Sequence, residues 1–205
     1  LIGQISGAIK PDAGRIQFGG VSIIALPPHK RVRLGLSRTY QITNVFKKYT
    51  VLDNLALGVQ AREGHSFRFW RPARAERHLW EQAAQIAERV GLGARMDVMA
   101  GALAHGEQRQ LEVGLALTSR PRLLLLDEPL AGMGADETGR MVDLIRLLRA
   151  DQTILLVEHD MDAVFQLADR ISVLVYGRII ATDAPESIRA NPEVQQAYLG
   201  DEAHS

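Results

Sequence analysis

Residues 120–130 read Arg-Pro-Arg-Leu-Leu-Leu-Leu-Asp-Glu-Pro-Leu, and this stretch decides the fold. Four consecutive leucines, Leu123 to Leu126, cannot form an amphipathic surface, so they predict a short strand buried on both faces of a parallel sheet. Asp127 and Glu128 follow at its carboxyl end. Two carboxylates are costly to desolvate there unless a cation and a proton-transfer task hold them. The pair therefore indicates Mg²⁺ and phosphate chemistry, and the alternative is an ordinary polar strand end.

The composition limits the class of protein. A chain of 205 residues is long enough for one sizeable domain with an adequate core. Its 24 basic and 24 acidic side chains balance, so net charge offers no argument for a nucleic-acid partner. Because the sequence has no cysteine, disulfides, thiolate metal sites and cysteine nucleophiles are excluded. No apolar run approaches the roughly 20 residues that span a bilayer.

A second buried strand is predicted further along the chain. Apolar spacing predicts a helix over about residues 136–150, and residues 153–157 then read as a strand. A strand, helix and strand of these lengths form a right-handed crossover, so the polar ends of both strands lie at one edge of the sheet. Open α/β sheets bind ligands at that edge. His159, just after the second strand, is therefore expected beside Asp127 and Glu128.

The N-terminal part predicts a helix, a hairpin and a third strand. Residues 1–9 read as the tail of a helix. Residues 14–23 alternate around Gly19-Gly20, which signals a two-residue hairpin turn. A strand from Leu36 to Gln41 would deliver an amide side chain to the sheet edge. Residues 171–181 read as a second antiparallel pair.

Residues 44–118 change character and form a candidate helical subdomain, because helical apolar spacing dominates them. Within it, residues 62–78 alternate arginines with aromatic side chains. This interleaving predicts a docking surface for a partner at Trp70, Arg71 and Arg74. The alternatives are an exposed basic loop that leads into a helix, and an RNA surface, which the balanced net charge disfavours.

A further candidate site is Leu103-Ala-His-Gly-Glu-Gln-Arg109, at the start of a predicted helix that runs to about Thr118. Small residues before a helix N-terminus expose backbone N–H groups at the positive end of the helix dipole. Such an arrangement suits a phosphate group.

Four side chains with complementary roles are expected to converge at the sheet edge. Asp127 would hold Mg²⁺, and Glu128 would polarise a water molecule. His159 would contact a terminal phosphate, and Gln41 would sense the metal or the water. The sequence therefore predicts phosphoryl chemistry.

These motifs together resemble the ATP-binding cassette (ABC) family of transporter ATPases over essentially the whole chain. Leu103 to Glu107 is similar to the family signature Leu-Ser-Gly-Gly-Gln, of which only Leu103 and Gly106 stand unchanged. Residues 123–127 resemble the second nucleotide motif of the family. The resemblance implies that Ala104, His105, Gly106 and Glu107 bind nucleotide held by another chain.

The resemblance also assigns roles at the sheet edge. Glu128 resembles the catalytic carboxylate, His159 the switch histidine and Gln41 the glutamine of the Q-loop, with Asp127 and Gln41 as metal ligands. Residues 128–134 are similar to the loop that crosses the dimer, although Gly134 replaces the usual aspartate, which puts communication across the dimer at this position in doubt. ATP and Mg²⁺ are the implied cofactors.

The implied fold is the α/β core of a P-loop NTPase-like ABC ATPase, with a mostly parallel sheet, helices and an antiparallel β-hairpin. Residues 1–205 would form a single nucleotide-binding domain that contains the helical subdomain at about residues 44–118. The family's Gly-x-x-x-x-Gly-Lys-Ser/Thr phosphate loop (Walker A) does not occur in these 205 residues. The resemblance places it, with the strand before it, immediately ahead of Leu1, so we expect a chain cut just after that lysine and inactive as written.

A closer resemblance is to the ATPases of branched-chain amino acid importers, although relatives that carry urea or short amides share much of the pattern. It is carried by Leu26-Pro-Pro-His29, Arg38-Thr-Tyr-Gln41, Ala131-Gly-Met133 and Asn191-Pro-Glu-Val with Ala197-Tyr-Leu-Gly200. The implied partners are permease membrane subunits, a second ATP-binding subunit in a homo- or heterodimer and, indirectly, a solute-binding protein. The implied location is peripheral, on the cytoplasmic face of the inner (plasma) membrane.

Two other functions remain open at this point. One is a non-transport ABC ATPase that acts on DNA or ribosomes, although such proteins tend to carry extensions for which this chain has no room. The other is a non-hydrolysing fragment or interaction module, which the absent phosphate loop makes physically reasonable.

Overall fold

The computed structural model describes residues 1–39, 45–63 and 76–202. The chain divides into two compact units, Leu1–Glu158 and His159–Ser205, and each is described by itself. Over the described ranges, no helix combines the length and the apolar character needed to cross a membrane.

The described helices and strands follow one another in mixed order. The helices are α1 (Ile2–Ser6), α2 (Pro28–Arg33), α3 (Val51–Glu63), α4 (Arg77–Arg89), α5 (His105–Thr118), α6 (Ala135–Leu148), α7 (Met161–Leu167), α8 (Pro185–Arg189) and α9 (Pro192–Glu202), with 3₁₀ turns at Gly93–Arg95 and Ala100–Ala102. The strands are β1 (Gln17–Phe18), β2 (Val21–Ser22), β3 (Leu36–Arg38), β4 (Leu123–Asp127), β5 (Thr153–Val157), β6 (Ile171–Val175) and β7 (Arg178–Asp183).

The first unit is built on a parallel sheet in the order β3-β4-β5. Leu124, Leu125 and Leu126 are all 0% exposed, which confirms the buried central strand. Burying each such side chain contributes about 1.5–3 kcal/mol relative to leaving it in water. Asp127 pairs with Val157 in the register, so β4 and β5 end level with each other.

Helix α6 connects β4 to β5, as predicted from its apolar spacing. Four apolar residues of that spacing are buried in the structure: Met141, Leu144, Ile145 and Leu148. These positions recur at the three- and four-residue spacing of one helix face. The crossover therefore covers the sheet with one apolar stripe.

The hairpin β1–β2 is also confirmed, because Gly19 and Gly20 both have positive φ, 55° and 81°. That conformation at both central positions is typical of the tight turn whose twist matches paired strands. Helix α1 is shorter than the predicted 1–9 stretch, since Gly7 takes a left-handed conformation and ends it. Strand β3 was expected to reach Gln41 but ends at Arg38. Of the three residues expected to continue the strand, Thr39 is described but is not part of it, and Tyr40 and Gln41 lie outside the described ranges.

Helices α3, α4 and α5 pack together by their small and apolar faces. Helix α3 buries Val51, Leu55 and Val59, each four residues apart. Gly58 lets α5 approach α3, because a Cβ there would lie 2.7 Å from Oγ1 of Thr118. These helices fall within residues 44–118, and their standing as a separate subdomain stays a prediction.

The second unit contains α7, the antiparallel pair β6–β7, α8 and α9. Its core holds Ile171, Ile188 and Val194. The antiparallel pair predicted within residues 171–181 is confirmed.

Candidate functional site

Asp127 is the last residue of β4, and its carboxylate is held by a cation from the neighbouring strand. Arg38 Nη2 donates to Asp127 Oδ2 at 2.9 Å, and the two side chains are only 15% and 16% exposed. Arg38 Nη1 also donates to Oγ of Ser6 in α1, at 3.2 Å. Arg38 therefore connects α1, β3 and the end of β4 at one point.

The residues at the end of β4 fit a Mg²⁺ ion. Mg²⁺ prefers oxygen ligands, and proteins usually supply one or two carboxylates while phosphates and water complete the octahedron. Asp127 and Glu128 are carboxylates of this kind, placed together where β4 ends. A cluster of three or more His, Cys, Asp or Glu side chains arranged for a metal is not found among residues 1–39, 45–63 and 76–202.

Glu128 has an unusual backbone conformation, with a φ of 47°. Its N–H donates to the carbonyl of Val157 at 2.9 Å, which extends the bonding between β4 and β5. Its carbonyl accepts from the N–H of Ala131 at 3.2 Å, so the chain turns sharply here. A left-handed conformation costs a non-glycine residue roughly 1–2 kcal/mol. Strain of this kind clusters at functional sites.

A further carboxylate, Glu158, fixes the loop after Glu128. Its Oε1 accepts from the N–H of Leu130 at 2.9 Å. Glu158 directly follows β5, so the end of one strand holds the loop that leaves the other. The loop of residues 129–134 is thereby anchored at its start.

The segment Leu103–Glu107 begins α5. Ala104 is the N-cap, and its N–H donates to Oε2 of Glu107 at 3.0 Å. Glu107 also pairs with Arg95, with 2.9 Å between Oε1 and Nε. Ala104 and His105 are exposed, whereas Gly106 is buried and donates its N–H to Oε1 of Glu137 at 2.9 Å.

For the other two predicted site residues, the structure gives no placement relative to Asp127 and Glu128. His159 is an exposed residue that opens the second unit, two positions after β5 ends. Gln41 lies outside the described residues. The convergence of His159 and Gln41 with Asp127 and Glu128 therefore stays a prediction.

Sequence reasoning missed Arg38, Glu137 and Glu158 as members of this region. Glu137 had a local signal, because an acidic residue in the first turn of a helix favours its N-terminus. Glu158 stands next to His159 and could have been included with it. The pairing of Arg38 with Asp127 had no local signal, since the two residues are 89 positions apart.

Comparison with protein families gives two matches along the chain. Residues 1–131 match the family model described as "ABC transporter". Residues 178–204 match the model described as "Branched-chain amino acid ATP-binding cassette transporter".

Curated relatives align over nearly the whole chain. The chain is 40% identical over 204 residues to the high-affinity branched-chain amino acid transport ATP-binding protein BraF of Pseudomonas aeruginosa, which covers 96% of this chain and 80% of that protein. It is 37% identical over 209 residues to the corresponding protein LivG of Escherichia coli K12, with the same coverage. A probable LivG of Archaeoglobus fulgidus is 36% identical, covering 98% of this chain and 79% of that protein.

Solved structures show the same relationship. The ADP conformation of MJ1267, an ATP-binding cassette of an ABC transporter, aligns with a TM-score of 0.81 at 29% identity. The alignment covers 97% of this chain and 82% of that chain. A second structure of MJ1267 aligns with a TM-score of 0.82 at 30% identity, covering 96% and 81% of the two chains.

Proposed function

This chain belongs to the ABC transporter family, and from that premise we propose that it is the ATP-hydrolysing subunit of an importer for branched-chain amino acids or related small solutes. The observation that supports this most is the position of Asp127 and Glu128 where buried β4 ends level with β5. Ligands of open α/β sheets bind at that edge. The similarity to BraF, spread over 96% of the chain, supports the choice of solute class.

The residues of the edge divide the chemistry between them. A Mg²⁺ ion bound with ATP would neutralise charge on the phosphates. Asp127 would hold that ion, and Gln41 would contribute a further ligand. Glu128 would accept hydrogen bonding from the attacking water and draw its proton away. His159 would donate to the terminal phosphate.

The subunit would act as one of a pair. Residues 104–107 of each chain would contact the ATP held at the sheet edge of the other, so that two nucleotides lie between two subunits. The exposed start of α5 supports this, because Ala104 and His105 are open to a partner. The pair would dock on permease subunits at the cytoplasmic face of the membrane and receive solute indirectly from a solute-binding protein.

The Walker A phosphate loop does not occur in the 205 residues, and this limits what the chain can do by itself. Backbone N–H groups, a lysine and a hydroxyl would have to come from such a loop, and the anions Asp127 and Glu128 cannot replace them. We propose that residues 1–205 alone bind ATP no more tightly than in the millimolar range and hydrolyse it poorly. Isothermal titration of this chain, with and without a phosphate loop ahead of Leu1, tests this, and micromolar binding by residues 1–205 alone would contradict it.

The experiment that tests the central proposal is Glu128→Gln in the assembled transporter. The amide keeps the shape of the side chain but cannot take a proton, so ATP should still bind while turnover falls by about 10²–10⁴-fold. Glu186→Gln, the same change at an exposed position in α8, is the matched control and should leave turnover unchanged. Near-normal turnover in Glu128→Gln would exclude the catalytic role.

The docking surface predicted at Trp70, Arg71 and Arg74 lies outside the described residues and remains a proposal. Replacing all three with alanine should uncouple solute transport from ATP hydrolysis while basal hydrolysis stays intact. Unchanged transport would instead identify the segment as an ordinary solvated loop.

A further inference from the structure

Helix α5 lacks the side chain that normally caps a helix N-terminus. Its first backbone N–H groups have no partner within the helix. A serine, threonine, aspartate or asparagine at the N-cap usually accepts from one of them. The N-cap here is Ala104, which has no side-chain acceptor. The N–H of Gly106 must therefore find its partner elsewhere.

That partner comes from another helix. Glu137, in the first turn of α6, accepts from the N–H of Gly106 at 2.9 Å. The contact is close, because a Cβ on Gly106 would lie 2.9 Å from Oε1 and 3.0 Å from Cδ of Glu137, and the carboxylate would have to shift to admit it. The side chain of Glu137 thus packs directly against the backbone of α5.

The carboxylate of Glu137 also lies in the first turn of its own helix, α6. The pKa of Glu137 lies below its ordinary value, chiefly because the N–H of Gly106 stabilises the ionised carboxylate. Gly134 is the N-cap of α6 and Glu137 lies in its first turn, so the carboxylate that bonds to α5 is carried at the start of α6. An anion is favoured at each of these positions by the helix dipole.

The bond connects two functional segments of one chain. Gly106 lies within the signature segment, residues 103–107. Gly134 ends the loop that begins at Glu128 and is anchored by Glu158. Movement at the end of β4 can therefore reach the start of α5 through one side chain, although Gly106 and Glu137 are 31 positions apart in the sequence.

We propose that Glu137 is a positioning residue that couples the signature segment to the loop following Glu128. This inference rests on the proposed function, because it assigns Glu137 to the hydrolytic cycle of that site. Glu137 contacts no substrate; it holds the N–H groups of α5 at a fixed place relative to the loop. Loss of the tether leaves both segments folded but no longer moving together.

The test separates the tether from the simple cap. Glu137→Ala removes both, and adding Ala104→Ser restores a local cap to α5 without restoring the link to α6. We expect Glu137→Ala to lower the thermal midpoint by about 2–4 °C and to speed hydrogen exchange of the Gly106 amide by roughly tenfold. The added serine should reverse both effects.

ATP turnover in the assembled transporter should respond differently. We expect kcat of Glu137→Ala to fall on the order of tenfold, since small misplacements of positioned groups are costly, with little change in KM. The reference for the double variant is the Ala104→Ser single variant. Glu137→Ala should lower kcat by the same factor in that background as in the wild type, although the stability of the double variant has recovered. Asp136→Ala removes an exposed acid from the same turn of α6 and is the matched control, expected to keep normal kcat.

Two results would overturn the inference. If the serine restores kcat together with stability, Glu137 is a cap and nothing more. If Glu137→Ala changes neither Gly106 exchange nor kcat, the contact has no role. Should the alanine variant fail to fold, Glu137→Met, which has a side chain of similar length without an oxygen acceptor for the Gly106 N–H, gives the same decision. An inactive wild-type transporter would instead contradict the proposed function, while the Gly106 exchange would still test the contact.

Discussion

Replacing Asn54 with alanine should destabilise the first unit more than any surface change of the same kind. Asn54 lies in α3 and is 0% exposed. Its Oδ1 accepts from the N–H of Phe46 at 2.8 Å, and its Nδ2 donates to the carbonyls of Phe46 at 3.1 Å and Thr50 at 2.8 Å. A longer contact of 3.4 Å reaches the carbonyl of Tyr49. One buried amide therefore closes the loop of residues 46–50.

This loop in turn supports the approach to the signature segment. The carbonyl of Tyr49 accepts from the N–H of Ala100 at 2.9 Å, and the carbonyl of Lys47 accepts from the N–H of Gly101 at 3.0 Å. Both donors lie in the 3₁₀ turn directly before Leu103. The effect of losing Asn54 should therefore extend to the start of α5.

The expected cost follows from these contacts. The two bonds to Phe46 are each worth about 1 kcal/mol, and the space left by a fully buried side chain adds a similar amount, so the free energy of unfolding should fall by about 2–4 kcal/mol. In a chain of this size that corresponds to a thermal midpoint lower by about 4–16 °C. Scanning calorimetry of purified variants measures it directly.

Two further variants sharpen the result. Asn191→Ala makes the same change at a partly exposed position, where Oδ1 accepts from the N–H of Glu193, and should cost only about 1 kcal/mol. Asn54→Asp keeps the shape of the side chain but places an acceptor opposite the carbonyls of Phe46 and Thr50, so it should destabilise at least as much as alanine. If Asn54→Asp has the same thermal midpoint as the wild type, the carbonyls of Phe46 and Thr50 do not need the N–H donors of Asn54, and the expected cost is wrong.

Three other predictions address the site, the pH dependence and the core. His159→Ala should depress turnover without lowering the thermal midpoint, because His159 is exposed; a large fall in midpoint with a proportional loss of activity would indicate a structural role. The hydrogen bond from His78 lowers the pKa of Glu63, so the ionised carboxylate stabilises the fold. Glu63→Gln should therefore lower the free energy of unfolding by less than about 1 kcal/mol at neutral pH, and should leave it unchanged once the pH falls below that lowered pKa. Urea titrations at the two pH values measure both effects. Leu125→Ala should lower the free energy of unfolding by about 2–5 kcal/mol, whereas exposed Leu147→Ala should change it little; equal costs would contradict the buried position of β4.

The central architecture could be predicted because it depends on local patterns. Four leucines in a row have no polar face, so Leu123 to Leu126 had to be buried. Gly19-Gly20 supplied the only pair of adjacent glycines in the sequence, and both adopt the positive φ that the turn requires. In α6 the apolar spacing identified the inward face correctly.

The contacts around the site could not be predicted in this way, because they join residues far apart in the chain. Arg38 meets Asp127 only through the parallel register of β3 on β4. Glu137 reaches the backbone of Gly106 only because α5 and α6 pack close together. Such pairs depend on how whole elements pack, and no spacing within a single element encodes them.

The left-handed backbone of Glu128 has a consequence for directed evolution of this protein. Glycine or asparagine would relieve a conformational cost of roughly 1–2 kcal/mol at this position. A library selected for heat resistance alone should therefore accumulate glycine or asparagine at residue 128, and a library selected for growth on the transported solute should retain glutamate. If the two selections diverge at residue 128, the protein keeps the Glu128 carboxylate there at the expense of thermal stability.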